Sequence, residues 1–246
     1  AFTPTTHVTG GLRFMRDERD LDAQQVFLGT GAPTLTRNDS VAAEEFTYRL
    51  AIRQDIGDNH NIYASYNRGF KSGTFSMSAI FNDPVTPQTI DAYEIGLKSE
   101  LYESSLRFNL AAFRYEIDDY QVRAVAPGAG ANAVLLNAAE VEVTGLEIEF
   151  EAAPIDGLNI FGYATFLNSE FTDFPQALFT YPNPSTCTPG GPTPGSSTGS
   201  PTGGSSTCIG DASGNDTPLA PELAASLGGT YTLYTGGETE LRFTAL

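Results

Sequence analysis

Apolar and polar residues alternate with a period of two through most of this chain, and helical spacing is hard to find. From Phe46 to Arg53 the side chains of Phe46, Tyr48, Leu50 and Ile52 interleave with Thr47, Arg49, Ala51 and Arg53. Leu146, Ile148 and Phe150 interleave with Glu147, Glu149 and Glu151; Leu241 and Phe243 do so with Glu240, Arg242 and Thr244; Val8, Leu12 and Phe14 with Thr9 and Arg13. Because successive side chains of a strand point to opposite faces, each segment has one apolar and one charged face. One run is less regular. Leu106, Phe108 and Leu110 oppose Arg107 and Asn109, but Phe113 and Tyr115 fall on the polar side, which predicts either a bulge or a strand leaving apolar surroundings.

The pattern predicts strands at 6–16, 45–55, 61–70, 89–99, 105–125, 132–153, 158–170, 217–234 and 240–246. Between them, the long polar segments 17–44, 71–88 and 171–216 and the Gly-rich tip at 128–130 alternate with short turns near 57–58, 100–104, 154–157 and 236–237. Long connections on one side and short turns on the other are the pattern of a bacterial membrane barrel.

No run of eighteen apolar residues occurs, which removes a transmembrane helix but not a membrane barrel, whose strands alternate lipid-facing and water-facing side chains. Arg or Lys on a lipid face costs about 2–4 kcal/mol at the bilayer midplane, so the charged rows are expected to face enclosed water and the apolar rows lipid. An odd number of strands does not close as an ordinary single-chain bacterial barrel, and open edges in hydrocarbon leave unpaired backbone groups at several kcal/mol each. The expectation is therefore an arc of a larger barrel, in a chain cut from a longer protein.

Charge narrows the partners. The 246 residues carry 13 Lys and Arg against 30 Asp and Glu, a net charge of −17, which argues against binding nucleic acid phosphates. The two cysteines, Cys187 and Cys208, lie in one Pro/Gly/Ser/Thr-rich segment. A disulfide between them would stabilise by about 3 kcal/mol and would require an oxidising compartment; two free thiols are the alternative.

Catalytic chemistry is poorly represented. His7 and His60 are the only histidines, and neither has a nucleophile with evident geometry. Asp118 and Asp119 are adjacent on a predicted strand and unsuited to paired acid/base work. Asp211, Ser213, Asn215, Thr217 and Glu222 stand at calcium-loop offsets, but Asp216 occupies the position that requires glycine and no helices flank the segment. No phosphate-cradling loop or zinc spacing occurs, and no cofactor is implied.

Five segments, in order and spacing, carry a family resemblance: GGLRF at 10–14, YASYNRGFKSGTF at 63–75, DAYEIGLKSEL at 91–101, FRYEIDDYQV at 113–122 and VTGLEIEF at 143–150. Over 6–246 the chain resembles the barrel of a TonB-dependent outer-membrane receptor. The resemblance implies an all-β, antiparallel up-and-down transmembrane barrel of about 22 strands, of which this chain supplies nine. It implies the outer membrane of a Gram-negative cell, with its lipid as a partner, and an N-terminal plug domain that is not among these residues. It also implies import of a scarce ligand, a ferric siderophore foremost, with cobalamin, haem or glycans as other cargoes, driven by the TonB complex acting through the plug.

On that reading Arg68 and Lys71 would meet an anionic ferric siderophore, and Tyr120, Gln121 and Arg123 would form a ligand-contacting rim. Tyr63 and Tyr66 would belong to the interfacial aromatic girdle. Glu94, Lys98, Glu147 and Glu149 would line the lumen and face the plug. Solvated surface charge is the plainer account of Arg68, Lys71 and Arg123. Two rivals stand beside the receptor. A secreted, soluble β-sandwich glycan-binding module would pack its apolar faces together at about 10 Å; a β-rich hydrolase has only the surplus of carboxylates in its favour.

Overall fold

The computed structural model describes residues 4–77, 79–125, 133–182, 205–234 and 240–245. Among them, β1 (Thr6–Val26), β2 (Pro33–Ile56), β3 (His60–Lys71), β4 (Gln88–Leu101), β5 (Leu106–Val125), β6 (Ala133–Ile155), β7 (Leu158–Asp173), β10 (Leu223–Tyr234) and β11 (Glu240–Ala245) form one open antiparallel sheet in that order. A separate hairpin, β8 (Ala177–Pro182) and β9 (Ser205–Gly210), lies in the connection from β7 to β10. The nine expected strands are all present, and the sheet stays open.

Cross-strand register sorts the side chains without ambiguity, because directly paired residues share a face. One face carries Leu12, Phe14, Phe46, Leu50, Ile52, Ile62, Ile95, Leu110, Ile148, Phe166, Leu227 and Phe243. The other carries Arg49, Arg53, Asn61, Glu94, Lys98, Asn109, Glu147, Glu149 and Arg242. On the apolar face Leu12 is 74% and Ile95 62% exposed. Burial of each such side chain is worth about 1.5–3 kcal/mol, and a contiguous apolar surface of this extent marks an interface with another apolar phase. No second sheet covers it among the described residues. The sandwich expectation is thereby overturned: the apolar faces are not packed against each other.

The outward row without polar residues runs from Ile52 back to Phe46 in β2 and from Leu158 to Phe166 in β7, seven to nine residues, which at about 3.4 Å per residue spans roughly 20–27 Å. That is the height of the lipid-facing band of an outer-membrane barrel. Aromatic rings mark its upper limit: Phe14 and Phe46 lie 4.9 Å apart, Tyr48 and Tyr66 5.6 Å, and Tyr66 stacks on Tyr93 at 4.9 Å. The lower turns are tight. Tyr102, Glu103 and Ser104 all take positive φ, and at Gly157, with φ +82°, a Cβ would stand 2.3 Å from the Thr232 carbonyl.

Four expectations need correction. Segment 17–44 is not an irregular loop: β1 and β2 continue as a paired hairpin to Val26 and Pro33, leaving only 27–32 as a tip, because every residue from Asp17 to Gln25 finds a ladder partner. The segment 171–216 likewise contains the end of β7 and the β8–β9 hairpin. Phe113 and Tyr115 are not in a bulge; they flank Arg114, which pairs with the belt residue Tyr93, where β5 leaves the lipid-facing band. Register runs unbroken from Leu106 to Ile117, and the two rings stack at 4.8 Å on the polar face, where Gly145 leaves room for Phe113. The shift comes later, at Asp118 and Asp119, where Asp119 takes φ 54°. Tyr63 is not a girdle residue. It lies on the polar face, and its hydroxyl donates to Glu94 Oε1 at 2.6 Å while Lys98 Nζ lies 5.7 Å from the ring centre.

Candidate functional site at the rim of the wall

Above the aromatic belt the sheet reverses its polarity. The face that was apolar now carries Arg16 with Glu44 at 3.3 Å, Arg68 with Asp91 at 2.5 Å, and Arg114 between Glu116 and Glu142 at 2.8 and 2.7 Å. The face that was polar turns apolar, with Leu21, Ala43, Val141 and Phe171 buried. What buries them is chain folded inward from two connections.

The first is the β3–β4 connection, 72–87, which lies as a strap across the inner side of the rim. It is pinched into a small loop by a Thr74–Val85 bridge, with N–H to carbonyl distances of 3.2 and 2.9 Å. On one flank Arg37 donates to the carbonyls of Ile80 and Asn82 and to Asp83, while also gripping Asp39 at 2.6 Å. On the other, Gln121 Nε2 donates to both Ser72 O (3.1 Å) and Thr86 O (2.9 Å). Asn137 accepts from Thr86 N–H at 2.6 Å and donates to the Thr86 and Asp119 carbonyls. Under the strap Ala79 packs with the fully buried Val134.

The second is a cap made by the end of β7, the β8–β9 hairpin and residues 211–217. Phe171, Phe174, Ala177 and Ala212 enclose Ala139 and Val141, with Tyr120, Ile117 and Phe179 packed around them. Phe171 N–H donates to Asn215 O, and Thr217 Oγ1 meets Ser169 Oγ at 2.6 Å. Between the irregular stretch of β5 and β6 and the cap lies a cavity of about 480 Å³ bordered by Asp118, Asp119, Glu140, Asp173 and Phe174. Lower on the polar face a second cavity of about 480 Å³ is lined by His7, Arg49, Arg53, Tyr63, Glu94 and Lys98.

The chemistry of the rim is acidic and hydrogen-bonding. The Asp39 carboxyl is held below its ordinary value by the Arg37 guanidinium, then by the Ser40 N–H. The hydroxyl of Ser72 does the same for Asp17, aided by Arg19 at 3.0 Å, and Ser213 for Asp211. Among the described residues no group of three His, Cys, Asp or Glu side chains is placed to hold a metal ion.

The expected site residues separate accordingly. Glu94, Lys98, Glu147 and Glu149 do share one face: Lys98 pairs with Asn109, which pairs with Glu149 and donates to it at 3.0 Å. Arg68 faces outward, in the row of Ile62 and Tyr66, ion-paired to Asp91. At the edge of the hydrocarbon such a charge costs only about 0–1 kcal/mol. Lys71 is exposed at the rim end of β3, and Arg123 is exposed near the end of β5. Tyr120 is half-buried against Phe171, ring centres 6.3 Å apart. Gln121 is 7% exposed and committed to the strap. Cys187 lies outside the described residues, and with it the pairing to Cys208. Arg37 and Asn137 carry no signal in the sequence: neither breaks the alternation, and their partners in the strap are mostly backbone atoms, 43 to 51 residues away.

The whole of 1–245 matches the family model for the β-barrel of TonB-dependent receptor-like proteins. The chain belongs to that family. It is 29% identical over 181 residues to the probable TonB-dependent siderophore receptor PiuA of Acinetobacter baumannii, a match covering 69% of this chain and 22% of that protein. The ferric yersiniabactin uptake receptor FyuA of Yersinia pestis superposes with a TM-score of 0.67 at 18% identity, over 95% of this chain and 30% of FyuA. The PiuA structure gives 0.62 at 24%, over 93% and 29%. The chain thus spans under a third of the length of these two receptors, and its nine-stranded sheet is wall of an outer-membrane barrel: the apolar face meets lipid, the polar face the lumen, and the rim with strap and cap stands outside the bilayer.

Proposed function

We propose that this wall belongs to a receptor that captures a scarce extracellular metal chelate, a ferric siderophore foremost, and imports it with energy delivered by the TonB complex through a plug domain. The observation that carries the reading is the inward folding of strap and cap over the lumen side at the one end of the wall where the lipid-facing band has stopped. Chain placed there is useful only to something passing through the lumen. Names of the similar proteins, a siderophore receptor and a ferric yersiniabactin receptor, point to the same cargo class.

Ligand contact falls on Lys71 and Arg123, the rim cations that carry no ion pair among the described residues, rather than on Arg68, whose charge is matched outside. Tyr120 and Gln121 support the rim from beneath. Glu94, Lys98, Glu147 and Glu149 keep the lumen wet and meet the plug. The test is uptake of radioactive iron by an iron-starved Gram-negative strain lacking its own receptors and expressing the full gene, offered ferric yersiniabactin, a ferric catecholate and a ferric hydroxamate, with labelled cobalamin in parallel. Saturable iron uptake that disappears when TonB is deleted is the expected result. Cobalamin uptake alone would replace the cargo, and no TonB-dependent uptake of any of the four would overturn the reading.

A further inference from the structure

We infer that the strap 72–87 is a fixed sill of the import route, not one of the parts that swing over the ligand, and that Gln121 is the positioning residue that fixes it. The inference deepens the importer reading and rests on it only in naming what the sill borders. A connection of this length between two strands ordinarily owes its conformation to its own turns, and loops that close over ligands come from the least stable end of a structure. This one is tied differently.

One amide, Gln121, reaches the carbonyls at both ends of the strap, Ser72 and Thr86, while the Gln121 N–H takes Gln88 Oε1 at 3.0 Å. The ends are therefore clamped to the same point of β5 and cannot separate. Because both partners are carbonyls, only the NH₂ side of the amide can face them, so the carboxamide orientation is forced and its oxygen is left buried without a partner. A group is tolerated in that condition where the geometry it enforces outweighs the orphaned acceptor. Asn137 repeats the motif at Thr86, offering acceptor and donor to one residue's backbone as a neighbouring strand would. The middle is held from the opposite side by Arg37 on the Ile80 and Asn82 carbonyls, and Leu135 N–H reaches Ser76 Oγ at 3.3 Å. Elements β2, β5 and β6 all grip the strap, so any swing would break polar contacts to three strands at once and uncover Ala79 and Val85. A lid needs one hinge and one releasable latch; this segment has neither. The surface it leaves free carries Met77 and Phe81, both exposed.

Two experiments on the full-length receptor decide it. Hydrogen exchange, with no ligand added, should show the Thr74 and Val85 amides protected at least a hundredfold over an unfolded chain. Gln121→Met, equal in length but without the donor, should cost at least tenfold of that protection and leave the amides of β3 and β4 unchanged. In uptake of whichever panel complex the receptor imports, the same variant should raise KM several-fold with the maximal rate per receptor intact. Unchanged protection in Gln121→Met would remove Gln121 from the role. The second experiment locks the strap: Val41→Cys with Val85→Cys, two positions that border Gly73, joined by oxidation or a short bifunctional reagent. Uptake within twofold of the unlinked protein is expected. Loss of uptake on linking, restored by reductant, would show that the strap must move and overturn the inference. If no complex is imported, the importer reading fails while the exchange measurement still judges the clamp.

Discussion

The lipid-facing band and the rim are built from the same strands and obey opposite rules. In the band, β2 sends Leu50 and Ile52 outward and Arg49 and Arg53 inward; a few residues further up it sends Glu44 outward and Ala43 inward to be buried. The strand has not slipped, since the β1–β2 register is continuous from Thr6 to Leu35. What changes is the solvent. Hydrocarbon lies outside the band and water inside; water lies outside the rim and folded chain inside. A single β-ladder carries both patterns because alternation says only that two sides differ, and the surroundings decide which of them is oily.

That contrast can be broken at several points. The largest effect is expected at Phe171→Ala, which empties the centre of the cap and should cost about 3–5 kcal/mol. The loss should appear as local opening of β8 and residues 211–217 in hydrogen exchange, with the barrel's thermal transition in detergent unmoved. A transition that falls with the cap would mean that band and rim are one cooperative unit. Next comes Leu50→Arg, at a position more than half exposed. In water such a change would be nearly neutral, whereas in the centre of the lipid band it should cost about 2–4 kcal/mol, read as a shifted urea midpoint in refolding into phospholipid vesicles. A neutral result there would contradict the lipid-facing assignment.

Arg68→Ala together with Asp91→Ala removes a pair at the edge of the band, and about 0–1 kcal/mol is expected in the same assay, with uptake unchanged because the pair faces away from the lumen. A marked uptake defect would restore Arg68 to the ligand site. The smallest effect is one of pH. The folded-state pKa of Asp39 is depressed by Arg37, so the ionised pair supports the strap fully above the ordinary carboxylate value, and that support is lost as pH falls through the lowered one. Exchange protection of the Thr74 and Val85 amides, corrected for the intrinsic pH dependence of amide exchange, should be flat from neutral pH to about pH 5 and fall only below about 4, and Asp39→Asn should show lowered protection at every pH.

Much of this was legible beforehand. Period-two spacing placed the strands, and the alternation of long and short connections fixed their directions. Shared parity brought Glu94, Lys98, Glu147 and Glu149 to one face through pairings that the register confirms. The same rule applied to Arg68 sets it with Ile62, Ala64 and Tyr66 on the outward side, whereas Lys71, three residues on, has the opposite parity. Gln121, expected at a ligand-contacting rim, spends its donors on backbone carbonyls of a strap whose course no pattern in 72–87 announces.

The one-dimensional pattern determined that the chain makes long amphipathic strands and that one face must find an apolar phase, because alternation is a property of the backbone and survives in any environment. Only the tertiary structure decided where that apolar phase ends, that two connections turn inward rather than out, and that Arg37, Gln121 and Asn137 hold one of them. Those outcomes depend on contacts between residues tens of positions apart and on carbonyl groups that every residue possesses, so no residue type along the chain could have signalled them.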